Sequence, residues 1–239
     1  MPVAALVGYT NAGKTTLLNR LTGAGAVVRD QLFTTLDPLA RRVRLPAPAA
    51  VGGKPGQGGE TIVITDTVGF LHHLPHHLIE AFKATLEEAR DADLLLHVLD
   101  ASHPLISKHA EAVETVLKEL ELQDKPIITV LNKCDKLAGQ AEDADSRLAA
   151  LAHAFEPAAV MSAKTGQGLE QLEALISAQL ARLLVAPLHL RLPHERADLL
   201  ASIYQTGQVL SRREYDGAIE LTARVPAKMQ AVLEPYLTS

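Results

Sequence analysis

The sequence has very few of the residues that characterise several common protein classes. Its 239 residues include a single cysteine and no tryptophan, and aromatic residues make up only 3%. Because one cysteine cannot form an internal disulfide, a disulfide scaffold is excluded and a reducing compartment is favoured. The scarcity of aromatic side chains argues against a surface on which nucleic-acid bases stack.

Long apolar runs and excess positive charge are missing as well. The longest apolar runs, 94–99 and 127–131, have the length of strands and fall well short of the roughly 18–20 residues of a membrane span. No basic stretch precedes an apolar one at the start of the chain, so no secretory signal is predicted. With 23 basic and 28 acidic residues the net charge is −5, which argues against bulk electrostatic binding of DNA or RNA. We expect a cytoplasmic globular monomer.

The pattern of apolar residues predicts an α/β fold. Short, almost continuously apolar segments at 3–7, 61–66, 94–100, 127–131 and 158–162 predict buried strands, and leucines at helical spacing between them predict helices. Such an alternation is typical of a mostly parallel sheet covered on both faces. Ligands of these sheets bind at the carboxyl ends of the strands.

A proline at position 187 marks a predicted domain boundary. We expect one domain at 1–185 and a small α+β domain at 188–239, built from a short strand, a helix, two strands and a final helix. The small domain has six basic and six acidic residues, so the net charge belongs to the first domain. Its composition gives no basic footprint for nucleic acid.

A glycine-rich pattern follows the first predicted strand. Residues 8–15, GYTNAGKT, fit G-x-x-x-x-G-K-[ST] and lie between a strand and a helix, as a phosphate-binding loop must. Successive backbone N–H groups and the helix N-terminus would bind phosphates, Lys14 would reach the β- and γ-phosphates, and Thr15 would give its hydroxyl to Mg²⁺. An ordinary strand-to-helix turn is the less favoured alternative. The predicted phosphate-binding residues are Gly8, Tyr9, Thr10, Asn11, Ala12, Gly13, Lys14, Thr15 and Thr16.

A carboxylate ends the predicted strand at 61–66. Asp66, followed by Thr67, Val68 and Gly69, matches the way in which proteins with a phosphate-binding loop hold the second side of Mg²⁺. The N–H of Gly69 would contact the γ-phosphate. On its own this segment would be interpreted as a strand ending in an Asp-capped turn, and the phosphate-binding loop makes the magnesium interpretation the preferred one.

The pattern N-K-x-D, formed by Asn132, Lys133 and Asp135, follows the strand at 127–131 and selects the base. A fixed carboxylate at Asp135 accepts both the ring N–H and the exocyclic amine of guanine. Adenine presents an acceptor there and would leave the carboxylate buried and unpaired, at a cost of several kcal/mol. GTP or GDP is therefore the predicted ligand.

A second base-binding segment follows the next predicted strand. Ser162, Ala163 and Lys164 would supply a backbone N–H for the guanine oxygen and the Lys164 stem beside the ring. The four motifs occur in order, each at the carboxyl end of a predicted strand, which makes a chance match negligible.

With these motifs the chain resembles the HflX family of GTPases. The residues that carry the resemblance are 8–16 (GYTNAGKTT), 30–38 (DQLFTTLDP), 66–70 (DTVGF), 81–102 (AFKATLEEARDADLLLHVLDAS) and the NKCD of 132–135. The stretch 81–102 is more specific to the family than the nucleotide motifs, and segments 190–193 and 213–216 resemble the small domain that follows the G domain. The resemblance implies a Ras-like G domain of the P-loop NTPase fold and a ferredoxin-like carboxy-terminal domain.

The family also implies further site residues. In DQLFTTLDP, Thr35 matches the switch threonine that coordinates Mg²⁺ and senses the γ-phosphate, with Thr34 as the alternative; nucleotide contacts extend to Phe33, Leu36 and Asp37. Asn11 matches a loop asparagine that helps to bind K⁺ beside the phosphates in related GTPases, where the ion substitutes for an arginine finger. The implied catalytic residues are Lys14, Thr35, Gly69 and Asn11, and the implied Mg²⁺ ligands are Thr15, Thr35 and Asp66.

Phe70 stands where Ras-like proteins have a water-orienting glutamine. A phenylalanine cannot orient water by hydrogen bonding, so catalysis would depend on Mg²⁺, Lys14, backbone N–H groups and a monovalent ion or a partner. The resemblance implies a Mg²⁺-dependent GTPase switch that binds the large ribosomal subunit and helps to split or rescue stalled ribosomes under stress. The alternative is a GTP-binding interaction module with negligible hydrolysis, and the NKCD motif contradicts an ATPase or kinase.

Three further features carry weaker expectations. Members of the HflX family have an additional amino-terminal domain and helical linker, whereas Met1 and Pro2 lead directly into the first predicted strand here. In the alternative of a GTP-binding interaction module, ribosome action would be lost together with that domain. The histidines of HHLPHH, residues 72–77, have spacings that could suggest zinc, but an exposed switch is a poor metal cage. Cys134 is interpreted as an inert small residue rather than a redox sensor.

Overall fold

A computed structural model describes residues 1–23, 39–45, 61–66, 89–137, 143–183, 186–215 and 217–238. These residues form two compact units, Pro2–Ser177 and Ala178–Ser239. The division falls within a helix, and the boundary predicted between residues 185 and 188 stays a prediction. None of the helices in the described ranges is both long and apolar enough to cross a membrane.

The first unit is built on a six-stranded sheet. Its strands are β1 (Val3–Val7), β2 (Leu39–Arg44), β3 (Thr61–Asp66), β4 (Leu94–Asp100), β5 (Ile127–Asn132) and β6 (Ala158–Val160). They lie in the order β2-β3-β1-β4-β5-β6, and all neighbours are parallel except the edge pair β2 and β3. The predicted mostly parallel sheet is confirmed.

Helices cover this sheet. They are α1 (Lys14–Thr22), α2 (Ile106–Glu119), α3 (Ala144–Ala154) and α4 (Leu169–Leu183), and residues 89–91 are also helical. Val113 and Leu117 of α2 pack with Val7 of β1 and Leu95 of β4 in one apolar cluster. Burying one such aliphatic side chain contributes about 1.5–3 kcal/mol, which explains why strands of continuous apolar sequence lie at the centre.

The second unit is a small α+β structure. It consists of β7 (Leu188–Pro193), α5 (Ala197–Thr206), β8 (Gln208–Tyr215), β9 (Ala218–Arg224) and α6 (Ala227–Leu233). Strand β9 lies between β7 and β8 and is antiparallel to both, so β7 and β8 form a split βαβ unit. Leu237 makes an antiparallel bridge with Leu190 and the Thr238 N–H donates to His189 O at 2.8 Å, where a ferredoxin-like fold has its fourth strand.

The two faces of the second sheet differ in character. Ile219, Leu221 and Ala223 of β9 are buried against the helices, as their alternation predicts. On the opposite face, Glu220 pairs in register with both Arg191 of β7 and Arg213 of β8, and exposed Arg224 lies on the same face of β9. Among the described residues of the sheet, three arginines therefore share this face with one carboxylate.

The loop between β6 and α4 is tightly wound. The Ser162 N–H donates to Gln167 O at 2.9 Å, and the Gly166 N–H donates to Ser162 O at 2.8 Å. Gly168 has φ +76°, and a Cβ at this position would lie 2.1 Å from the carbonyl oxygen of Val160. Only glycine fits both the backbone conformation and the space.

We therefore expect Gly168→Ala to destabilise the protein by about 2 kcal/mol or more. Gly23→Ala is the matched control, because Gly23 also has a left-handed backbone, φ +63°, but no atom of the described residues lies within 4 Å of its Cβ position. The control should cost only about 1 kcal/mol, the strain of the left-handed conformation. The midpoints of urea unfolding measure both, and equal losses would contradict this account.

Candidate nucleotide-binding site

The loop between β1 and α1 has a backbone that only some residues can adopt. Gly8, Asn11 and Gly13 have φ angles of +152°, +60° and +100°. A Cβ at Gly8 would lie 2.3 Å from Val98 O, and a Cβ at Gly13 would lie 2.3 Å from Asn132 Nδ2. Asparagine tolerates the left-handed region better than most residues. The loop curves around the N-terminus of α1, a geometry that aims N–H groups at an anion.

Lys14 begins α1 and turns back over this loop. Its buried ammonium donates to Gly8 O at 3.1 Å and to Tyr9 O at 3.2 Å. Burial lowers the pKa of Lys14 to about 8, against the opposing effect of the Asp66 charge. Because little solvent surrounds the ammonium, its attraction to a phosphate is only weakly screened.

Thr15 and Asp66 lie together beside Lys14. The Thr15 hydroxyl donates to Asp66 Oδ2 at 2.6 Å, and Asp66 is fully buried at the end of β3, in register with Leu6 of β1. A hydroxyl and a carboxylate are the oxygen donors that Mg²⁺ prefers, so this pair fits the ion implied by the sequence. The other predicted switch residues, Phe33, Thr34, Thr35, Leu36, Asp37, Thr67, Val68 and Gly69, lie outside the described residues.

Asn132, at the end of β5, connects the phosphate-binding loop to the segment after β6. Its side-chain Nδ2 donates to Ala12 O at 2.8 Å, and its Oδ1 accepts from the Ala163 N–H at 2.9 Å. Ser162 is buried next to it and its hydroxyl accepts from the Thr165 N–H. The two loops that the sequence assigned to opposite ends of a nucleotide are thus joined through one amide.

Lys133 makes a second connection of the same kind. Its backbone is left-handed, with φ +65°, and its Nζ donates to Asn11 O at 2.6 Å and lies 2.8 Å from Asp100 Oδ2. Burial alone would raise the pKa of the Asp100 carboxyl, but hydrogen bonds from Lys133 and Ser102 outweigh it and hold the pKa below its usual value. Asp100 was not among the predicted site residues, although it ends an apolar strand just as Asp66 does.

Asp135 presents a carboxylate with an unused acceptor. Its Oδ1 is buried and has no hydrogen-bond partner among the residues that the structure describes. A buried carboxylate oxygen without a donor is costly, so a ligand bearing adjacent N–H groups would be favoured here. The neighbouring Cys134 is buried, and this burial raises the pKa of its thiol, which supports its interpretation as an inert residue.

His97 is a buried residue that the sequence did not identify. It lies on β4 in register with Val7, and its Nε2 has no hydrogen-bond partner in the described part of the chain. Burial and the positive charge of Lys14 lower the pKa of His97 to about 4. The imidazole is therefore neutral at pH 7 and adds no charge beside Lys14. Its only signature in the sequence is a polar residue within an apolar strand.

Aromatic rings join the loop to α2. The Tyr9 ring stacks on His109 with centroids 3.9 Å apart, and His103 lies 4.3 Å from His109. Within the described ranges, no group of three or more His, Cys, Asp or Glu residues is arranged to hold a metal. The zinc hypothesis for residues 72–77 concerns a segment outside those ranges.

Comparison with known proteins identifies relatives for both units. Residues 3–133 match a family model described as a 50S ribosome-binding GTPase, and residues 147–238 match one described as the HflX C-terminal domain. The chain is 42% identical over 233 residues to GTPase HflX of Lacrimispora saccharolytica, covering 98% of this chain and 51% of the relative. It is also 42% identical over 228 residues to GTPase HflX of Escherichia coli, covering 95% and 50%.

A solved structure shares the fold. The chain is 29% identical to a GTP-binding protein from the hyperthermophilic archaeon Sulfolobus solfataricus in complex with GDP, with a TM-score of 0.56, over 76% of this chain and 53% of that one. The chain spans about half the length of the curated relatives that it matches.

We expect Asp100→Asn to weaken GDP binding about threefold to tenfold, because Lys133 loses the charge that holds it against the phosphate-binding loop. Asp124→Asn, at an exposed position before β5, is the matched control and should leave the affinity unchanged. Titration of a fluorescent GDP analogue measures both. Identical affinity of the Asp100 variant and the wild type would show that the ion pair does not support the site.

Proposed function

Because this chain belongs to the HflX family of GTPases and its residues 3–133 match the 50S ribosome-binding GTPase model, we propose that it hydrolyses GTP to GDP and phosphate as a Mg²⁺-dependent switch. The observation that carries the proposal is that three groups lie close together at the carboxyl ends of the parallel strands β1, β3 and β5. These are the Lys14 ammonium, the Thr15–Asp66 oxygen pair and the Asn132–Lys133–Asp135 motif.

Each group has a separate task in this proposal. The backbone N–H groups of the first loop and Lys14 bind the β- and γ-phosphates and stabilise the charge that spreads over them as water attacks the γ-phosphorus. Thr15, Asp66 and Thr35 would hold Mg²⁺, and the ion would neutralise charge on the phosphate oxygens. Asp135 accepts two N–H groups of guanine, and Lys164 covers the ring.

Phe70 favours slow intrinsic hydrolysis. A phenylalanine has no hydrogen-bonding group to orient the attacking water, so the rate would depend on Mg²⁺, Lys14, backbone N–H groups and either a partner or a monovalent ion such as K⁺ beside Asn11. A second candidate, a GTP-binding module with negligible hydrolysis, rests on the same residue. Phosphate release with and without ribosomes separates the two functions.

We expect release of phosphate from GTP and not from ATP, at a rate several-fold higher in K⁺ than in Na⁺. Steady-state phosphate assays at matched ionic strength measure this. Hydrolysis of both nucleotides at the same rate would contradict the role of Asp135, and equal rates in the two salts would contradict the role of the monovalent ion.

Asn11→Gly isolates the contribution of the side chain. Glycine adopts φ +60° without strain and keeps the carbonyl that accepts from Lys133, so the loop is retained and only the side-chain amide is removed. We expect this variant to bind GDP within about twofold of the wild type and to lose the K⁺ stimulation.

We also propose that the protein associates with the large ribosomal subunit in the splitting or rescue of stalled ribosomes. Support comes from the matched family's description as ribosome-binding. The proposal further includes a G domain at 1–185, a small domain at 188–239, a cytoplasmic location and a monomeric state.

Co-sedimentation tests the ribosomal partner. We expect the chain to pellet with isolated 50S subunits in the presence of a non-hydrolysable GTP analogue and much less with GDP. Lys14→Ala should remove the difference between the nucleotides, since it removes the phosphate-binding ammonium. Absence of pelleting with every nucleotide would contradict ribosome association of this chain.

A further inference from the structure

Arg20 makes a two-point contact with a distant loop. It lies in the last turn of α1, where its Nε donates to Ala163 O at 3.0 Å and its Nη2 donates to the next carbonyl, Lys164 O. The planar guanidinium presents several donors in fixed directions, so it can bind two consecutive carbonyls at once. The residues in contact are more than 140 positions apart in the sequence.

The carbonyls belong to the segment proposed to bind guanine. Ala163 is almost fully buried, and its N–H donates to Asn132 Oδ1 at 2.9 Å. Its N–H is thus held from β5 and its C=O from α1, so the peptide groups on both sides of Ala163 are held. Because Arg20 binds the carbonyls of both Ala163 and Lys164, the peptide groups on both sides of Lys164 are held as well, and they set the direction in which its side chain leaves the loop.

Packing supports the same contact. Gly166 has φ +89°, and a Cβ at this position would lie 3.8 Å from the guanidinium carbon of Arg20. The guanidinium therefore lies beside the turn at Gly166, at van der Waals distance from the position that a Cβ there would have.

A helix-capping role does not account for these bonds. A basic residue in the last turn of a helix often interacts with its own terminal carbonyls. Here the two donors reach carbonyls of another loop, and the Leu18 carbonyl of α1 accepts from the Thr22 hydroxyl instead.

We propose that Arg20 is a positioning residue for the guanine base, an inference that rests on the proposed function. Helix α1 starts with Lys14 at the phosphates and carries Arg20 six residues later, roughly 9 Å along a rigid rod. One helix thus sets the distance between the phosphate-binding loop and the base-binding segment. Arg20 touches no reacting atom, so it affects retention of the nucleotide and not the chemical step.

The test uses Arg20→Gln, Arg20→Lys and the control Arg147→Gln, which changes an exposed arginine of α3. Stopped-flow displacement of a fluorescent GDP analogue should show dissociation about tenfold faster in Arg20→Gln, with an unchanged association rate. Arg20→Lys, which can reach one carbonyl, should lie between that variant and the wild type. The kcat for GTP at saturation should stay at the wild-type value, and Arg147→Gln should match the wild type throughout.

A ligand without a base separates positioning from general damage. Pyrophosphate, measured by competition, should bind Arg20→Gln as it binds the wild type, whereas GDP binds more weakly. Equal losses for both ligands, or unchanged GDP dissociation, would overturn the inference. If the wild type itself fails to bind GDP, the proposed function fails instead, so the two failures are distinguishable.

Discussion

The side-chain amide of Asn132 holds the two halves of the site together. It donates to Ala12 in the phosphate-binding loop and accepts from Ala163 in the base-binding segment, and both contacts are buried. Only an amide offers a donor and an acceptor in this geometry; an apolar side chain of similar size would leave a buried C=O and a buried N–H unpaired, at about 1–3 kcal/mol each. The glycine at position 13 belongs to the same arrangement, since a Cβ there would collide with Nδ2.

Charge at the site is arranged in pairs around that link. Lys14 lies beside Asp66, and Lys133 lies between Asp100 and the Asn11 carbonyl, so both of these lysines have a carboxylate nearby. His97 stays neutral because burial and Lys14 both oppose its protonation. The outcome is a site where positive charge is available to phosphates while Lys14 and Lys133 each keep a carboxylate nearby.

Much of this arrangement could be predicted from local sequence. The strands that lead to Asp66, to Asn132 and to the 162–164 segment were predicted because continuous apolar runs are typical of buried parallel strands. Since these strands are parallel, their carboxyl ends lie at the same end of the sheet. The alternation of Ile219 and Leu221 with Glu220 likewise gave the two faces of β9. Composition predicted no basic surface on the small domain, whereas strand register places Arg191 and Arg213 on either side of Glu220 and Arg224 on the same face.

The sequence by itself determined the family and the mostly parallel α/β fold, because the motifs and apolar runs that indicate them each depend on neighbours within about ten positions. Only the tertiary structure decided which side chains support those motifs. Arg20 acts on Ala163 and Lys164, and Asp100 acts on Lys133, across separations that no local periodicity encodes. These hydrogen bonds form only when α1 is packed on the sheet and β4 is paired with its neighbouring strands. That arrangement is set by burial of the whole apolar core rather than by any short sequence pattern.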